Sequence, residues 1–428
     1  MKRILKIALV LMMALSLVAC NASNDEPVNT DVNMKSYSLV QNVYGWGSSY
    51  SKIIVPVSFG ADKDYVNPAD YVVSVERLDK NGNSIGSGNR YVEAAYRSNA
   101  EGKNDDKGAY VTLDLAVSAN LPIAQPYYND PDALGGTLKA WATCNYTVTN
   151  KATGDSWNEL DTVYHPDEAK FETAVFEAEK NIPYAYYEIA DDGNKHPLVI
   201  WLHGAGSGGT DIGFVTGGMH VTKFVDEGIQ EIFGGAHILL PQAETVWMDG
   251  VTSEEFDTMG HNFYTESLMA LIEDYVKNHE NVDPNRIYVG GCSNGGYMTV
   301  ELARMYPDYF AAIFPICEAM MDFWVTDDDI NAMKDIPTWF VHCVNDPVVD
   351  INMTADATYK RLVEAGAENI HFTRLETIND PDYGNAYGGH FSWIYSLRNL
   401  CSTDYNGEAV AVDGNPVSLY QWLAAQSK

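Results

Sequence analysis

Positive charge is scarce in this chain: 27 Lys and Arg stand against 59 Asp and Glu among 428 residues, a formal charge of -32. That balance repels phosphate backbones, so nucleic acid is excluded as a partner, and strongly anionic polymers such as unesterified pectins are disfavoured. Cysteine is also sparse, and none of the six shows the C-x-x-C spacing of zinc or dithiol redox sites. The lysine of a P-loop and the G-x-G-x-x-G fingerprint are both missing, which removes the usual nucleotide cradles. Beyond residue 20 no apolar run is long enough to cross a bilayer, and no internal repeat is visible. What is present is 46% hydrophobic and 12% aromatic residues, enough for a sizeable core. The length exceeds what one core usually holds, so two domains are expected.

The N-terminus reads as an export signal. Lys2, Arg3 and Lys6 precede the apolar run Ile7 to Val18, which ends in Leu17-Val18-Ala19-Cys20. Residues 1–19 are expected to be a cleaved signal peptide. The last four residues resemble the lipobox of bacterial lipoproteins, which implies lipidation of Cys20; an ordinary secretory signal with an incidental cysteine is the alternative. The expected location is the cell envelope, outside the cytoplasm, with membrane contact only through this anchor. Cleavage would move the formal charge to -35. Residues 20–34 are polar and read as a flexible tether. Of the remaining cysteines, Cys292, Cys317 and Cys343 close apolar strand-like runs, so they are expected to be buried small hydrophobes rather than disulfide partners.

Residues 35–165 carry short alternating runs, Lys52 to Phe59, Tyr71 to Leu78, Tyr91 to Tyr96, Tyr110 to Val117 and Thr137 to Thr149. Turn residues separate them, including Gly86-Ser87-Gly88. This spacing predicts an immunoglobulin-like β-sandwich without the Cys-Trp-Cys core of antibody domains. Residues 166–428 alternate apolar strands with helical patterns, as a mostly parallel sheet covered by helices requires. Strands are expected at Tyr184 to Ile189, Pro197 to Leu202, His237 to Leu240, Arg286 to Gly290, Ala311 to Cys317, Pro337 to Val344 and Ile370 to Leu375. Helices are expected over Thr265 to Asn278, Tyr297 to Met305, Met353 to Ala365 and Phe391 to Leu400.

The strongest chemical signal is Gly291-Cys292-Ser293-Asn294-Gly295-Gly296, set between the apolar strand Ile287 to Gly290 and a helix. This is G-x-S-x-G in strand-turn-helix context, the nucleophile elbow, with Ser293 exposed at the positive end of the following helix. A simple glycine-rich turn is the bland alternative. A nucleophilic serine needs a base held by an acid. His390 lies in a loop after the last expected strand, where the order Ser, Asp, His places the base; His342 and His203 are the reserves. Asp346 directly follows the strand Trp339 to Val344 and is the expected acid, with Asp350 in reserve as a helix cap. The backbone amides of Asn294 and of Ala205, in the glycine-rich loop after Leu202, are the expected oxyanion donors. Trp247, Phe323, Trp324 and Tyr387 lie in loops near this site, with packing the expected role for them.

Pro197 to Gly206, Gly209-Thr210-Asp211, Pro241-Gln242, Trp247, the elbow, and His342-Cys343-Val344-Asn345-Asp346-Pro347 together resemble the α/β-hydrolase esterases. The similarity is to the polyhydroxybutyrate-depolymerase-like and feruloyl-esterase-like group, also labelled predicted peptidases. The preceding β-rich module is similar to that of bacterial esterases with an immunoglobulin-like N-terminal domain. The resemblance implies Ser293, Asp346 and His390 as a triad with Ala205 and Asn294 as oxyanion donors. It implies hydrolysis of a small-molecule or polysaccharide-linked ester through an acyl-enzyme, without a metal or organic cofactor. A prolyl-oligopeptidase-type peptidase and a non-catalytic surface binding lipoprotein are the alternatives. His342-Cys343 departs from the His-Gly of many relatives.

Overall fold

In the computed structural model, which describes residues 33–59, 65–251, 262–384 and 386–428, the first half of the chain forms two facing sheets. One is five-stranded, in the order Glu159–Tyr164 (β11), Ser36–Tyr44 (β1), Gly47–Pro56 (β2), Tyr110–Leu115 (β6) and Val92–Ser98 (β5). The other is four-stranded, in the order Ser156–Trp157 (β10), Thr143–Asn150 (β9), Tyr71–Leu78 (β3) and Ser84–Arg90 (β4). Along β3 burial alternates, so Val73 and Val75 point inward to meet Leu39, Ile53, Val111 and Trp157 from the facing strands. A short ribbon, Tyr127–Asn129 (β7) paired with Lys139–Trp141 (β8), lies outside both sheets.

Two expectations fail here for physical reasons. Gly86-Ser87-Gly88 is not a turn but part of β4, an edge strand paired only with β3 and mostly exposed. An edge strand with little to pack leaves no apolar alternation to read. Strand β1, and the start of β2 before Lys52, escaped detection because they are buried on both sides, with polar Gln41, Ser48, Ser49 and Ser51 inside. Some of these groups are satisfied by the second half of the chain, Ser48 Oγ donating to Gly217 O at 2.9 Å and Gln41 Nε2 to Glu168 Oε1 at 3.3 Å, and others within the sandwich, Ser51 Oγ donating to Asn42 Oδ1 at 2.6 Å; the Val43 amide also reaches across, to Asp167 Oδ2 at 2.8 Å.

The second half is built on eight strands. Their order is Glu172–Phe176 (β12), Ile182–Tyr187 (β13), His237–Pro241 (β15), His196–Leu202 (β14), Val282–Cys292 (β16), Ala312–Ile316 (β17), Thr338–Cys343 (β18) and Ile370–Leu375 (β19). Strands β12 and β13 pair antiparallel at one edge, and every pairing from β15 through β14 to β19 is parallel. All seven residues of β14 are buried because helices cover both faces. Leu198, Ile200 and Leu202 pack toward helices Thr265–Asn278 and Asn294–Met305, while Val199 and Trp201 meet Phe233, Tyr420 and Leu423 opposite. The expected Phe391 to Leu400 helix is shorter, Trp393–Leu397 after a 3-10 turn at Gly389–Phe391. The one expected from Met353 begins at Ala355, after a 3-10 turn capped by Asp350, whose side chain accepts from Asn352 N.

Cys144, Cys292, Cys317, Cys343 and Cys401 are all free and buried, as small hydrophobes would be. Cys20 lies outside the described residues. Among the described residues no helix is long and apolar enough to cross a membrane.

Candidate active site

The elbow is built by close approach. Ser293 directly follows β16 and precedes the helix Asn294–Met305 with φ +55° and ψ -115°, a conformation that costs an L-residue of order 1–3 kcal/mol and persists because its surroundings enforce it. Its amide donates to Ile316 O at 2.9 Å, tying it to β17. A Cβ on Gly295 would stand 2.0 Å from Leu202 O, and one on Gly291 2.5 Å from the same oxygen. Only glycine lets the turn nestle against β14 at both positions.

The structure brings Ser293, His390 and Asp346 together although they are far apart in the chain. His390 Nε2 lies 3.0 Å from Ser293 Oγ, and His390 Nδ1 lies 2.8 Å from Asp346 Oδ2. The Trp393 ring meets the His390 imidazole edge-on, with centroids 5.6 Å apart, and buttresses it. The Asp346 side chain is fully buried and accepts four bonds: His390 and His342 at Oδ2, and the Val348 and Val349 amides at Oδ1. Burial acts to raise its pKa, but the bonds from His342 and His390 outweigh it and hold the carboxyl below its usual range.

The reserve histidines have other work. His342 is fully buried and donates from Nε2 to Asp346 at 3.1 Å, far from any role as base. His203 is buried too, and its burial lowers its pKa to about 4, so it is neutral. Its Nε2 accepts from Ala243 N at 3.0 Å, which puts its proton on Nδ1, and Nδ1 donates to Gly204 O at 2.8 Å. That bond fixes the glycine-rich loop next to Ala205. Trp247 is a packing residue: it is fully buried, its indole donates to His203 O at 3.2 Å, and its amide donates to Asn294 Oδ1 at 2.6 Å. Among the described residues, neither the Ala205 nor the Asn294 amide donates to a protein acceptor, and each opens a helical turn.

Ser293 and His390 open into a cleft of about 550 Å³. Its lining includes Tyr387, Phe391 and Trp393 from the hydrolase half and, from the sandwich half, Trp46 of the β1–β2 turn, whose ring stacks on Tyr387 at 6.4 Å, with Tyr127 and Lys139 of the ribbon. Trp393 Nε1 donates to Gly45 O at 3.0 Å, and Trp141 stacks on Phe214 at 4.3 Å while its indole donates to Asp211 at 2.7 Å. The sandwich is therefore part of the cleft. Sequence reasoning missed these residues, because the strands that flank the Gly45-Trp46-Gly47 turn carry no readable alternation. Of the four loop aromatics considered, Trp247, Phe323 and Trp324 are not among the cleft's lining residues and Tyr387 is.

The segment leading to His390 is pinned by Asp380, which is 2% exposed. Its Oδ1 accepts from Arg398 at 3.2 Å and its Oδ2 from the Tyr387 hydroxyl at 3.2 Å. Among the described residues, Asp380→Ala leaves the Arg398 guanidinium with only the more exposed Asp382 as an acidic partner, so an unfolding free energy lower by about 2 kcal/mol is expected in urea melts. An unchanged urea midpoint would contradict this role.

Cys317, Asp346 and His390 bring ligand-type atoms within 4.8 Å of one another. Both imidazole nitrogens are already engaged, and burial pushes the Cys317 thiol well above its ordinary range. The set suits hydrogen bonding better than a metal, whose ligands must be deprotonated.

A mostly parallel sheet with a strained serine elbow and a Ser-His-Asp array defines an α/β-hydrolase. Residues 36–160 match the model of the esterase Ig-like N-terminal domain, and residues 187–379 match the phospholipase/carboxylesterase family. Residues 36–160 thus form an esterase-type Ig-like domain and residues 187–379 belong to a carboxylesterase-type α/β-hydrolase domain. It is similar to the crystal structure of a thermostable esterase, with a TM-score of 0.70 and 24% identity over 92% of this chain and 100% of that one, a likeness of fold. It is 33% identical over 126 residues to a poly(3-hydroxybutyrate) depolymerase of Ralstonia pickettii, covering 28% of this chain and 24% of that protein. It is 42% identical over 50 residues to poly(3-hydroxyalkanoate) depolymerase C of Paucimonas lemoignei, 12% of each chain. The matches thus span a quarter or less of these curated relatives.

Proposed function

We propose that the protein hydrolyses carboxylic esters through an acyl-enzyme formed on Ser293. The observation that carries this reading is the unbroken hydrogen-bond path from Asp346 through His390 to Ser293 Oγ, at 2.8 and 3.0 Å, opening into the cleft. Ser293 Oγ forms a bond to the acyl carbon as its proton passes to His390 Nε2. The oxyanion that develops is met by the Ala205 and Asn294 amides, which are already ordered, so little reorganisation is needed. Collapse breaks the bond to the alcohol oxygen, which takes the proton from His390. Water then repeats the sequence and releases the acid. Asp346 keeps the proton of neutral His390 on Nδ1 and stabilises the imidazolium between steps.

Family membership favours an oxygen leaving group over an amine. A panel of p-nitrophenyl, feruloyl and acetyl-sugar esters, set against peptide p-nitroanilides, is expected to give a kcat/KM at least a thousandfold higher for the best ester. Comparable or faster amide cleavage would replace this reading with a peptidase.

A further inference from the structure

Lys139 is set apart by its place in the cleft that holds Ser293 and His390. Lys52, Lys80, Lys103, Lys223 and Lys360 each reach a carboxylate within 2.8 Å. In a chain with 59 acidic residues such pairing is easy to find. Among the described residues no carboxylate lies within ion-pair distance of Lys139, which sits partly buried on β8 opposite Asn129 of β7. Its side chain runs along the oxyanion loop, with Cε 3.6 Å from where a Cβ on Gly206 would be. Its Nζ lies 4.4 Å from the centre of the Tyr127 ring, whose face offsets part of the cost of holding the charge there. Lys139 shares the cleft with Ser293 and His390, and no residue lining that cleft is acidic.

We propose that Lys139, supplied by the Ig-like domain, binds a carboxylate carried by the substrate, so that the preferred esters bear one negative charge near the scissile bond. The inference rests on the esterase reading. Burial lowers the ammonium's pKa to about 8, so it is still mostly protonated at pH 7. A partly desolvated cation without a protein carboxylate favours an arriving anion, and a charge-assisted hydrogen bond formed there is stronger than one in open solvent. The strongly negative chain opposes polymers with many charges at long range, while this local cation accepts a single one. The two effects together select monoanionic esters.

The test compares two matched pairs: p-nitrophenyl hexanoate with mono-p-nitrophenyl adipate, and phenyl butyrate with 4-carboxyphenyl butyrate. The first pair places the carboxylate on the acyl side, the second on the leaving group. In Lys139→Met, the ratio of kcat/KM for the charged ester to that for its neutral partner is expected to fall at least tenfold in one pair. Most of the change should lie in KM, and Lys139→Arg should recover at least part of it. A fall of less than tenfold in both pairs overturns the assignment, as does an equal loss on charged and neutral esters. Turnover of the neutral esters by the parent separates the two levels. If the parent hydrolyses neither, the esterase reading fails and takes this inference with it; if it does and the ratios hold, only the role of Lys139 fails.

Discussion

Ser293→Ala is expected to lower kcat for a p-nitrophenyl ester by at least about ten-thousandfold, with the fold intact. In enzymes of this design the nucleophile, base and acid act as a unit, so losing the nucleophile costs nearly as much as losing all three. Alanine keeps the backbone strain of the elbow and deletes only Oγ, so the melting temperature should barely move. Ser293→Gly should be equally inactive yet more stable than Ser293→Ala by about 1 kcal/mol, since glycine tolerates φ +55° and ψ -115°. Activity within tenfold of the parent in either variant would remove Ser293 from the chemistry.

Asp346→Asn should be nearly as damaging, with kcat down by about ten-thousandfold. The reason is specific to the four donors. Oδ1 accepts the Val348 and Val349 amides, whose protons cannot move. The amide oxygen of asparagine must therefore take that side, which turns its NH2 toward His390 and His342. His390 must then accept at Nδ1 and carry its proton on Nε2, where it can no longer take one from Ser293. A second readout follows from linkage. The folded carboxyl titrates below its unfolded value, so its stabilisation is complete above about pH 4 and is lost as pH falls through the folded pKa. Asp346→Asn should flatten the pH dependence of unfolding free energy on that acid side. A variant that keeps full kcat would place the base's orienting group elsewhere.

The arrangement of Ser293, His390 and Asp346 was legible because its signals are local. A serine at φ +55° pressed against β14 needs glycines two residues away on each side, and that need is written into five consecutive positions. Asp346 and His390 follow strands β18 and β19, so chain order alone placed them near the elbow. The sandwich side of the cleft was not legible, because it is made by docking. Trp46, Tyr127 and Lys139 belong to a domain whose own sequence shows no catalytic pattern, and they share a cleft with Ser293 only when the β1–β2 turn and the ribbon pack on the hydrolase half. That docking also buries polar residues on β1 and β2, which erased the alternation by which those strands would have been recognised. The histidines show the same limit. Nothing in the spacing of His342 and Asp346 distinguished a base from a second donor to the acid, a difference set by 3.1 Å to Oδ2 within the fold.

The most direct test is covalent. The purified protein is treated with a fluorophosphonate, digested and mapped by mass spectrometry. A single adduct on the peptide containing Ser293 is expected, absent in Ser293→Ala and formed at least a hundredfold more slowly in His390→Ala. An unlabelled parent, an adduct on another residue, or equal labelling of Ser293→Ala would contradict a serine hydrolase built on Ser293, His390 and Asp346.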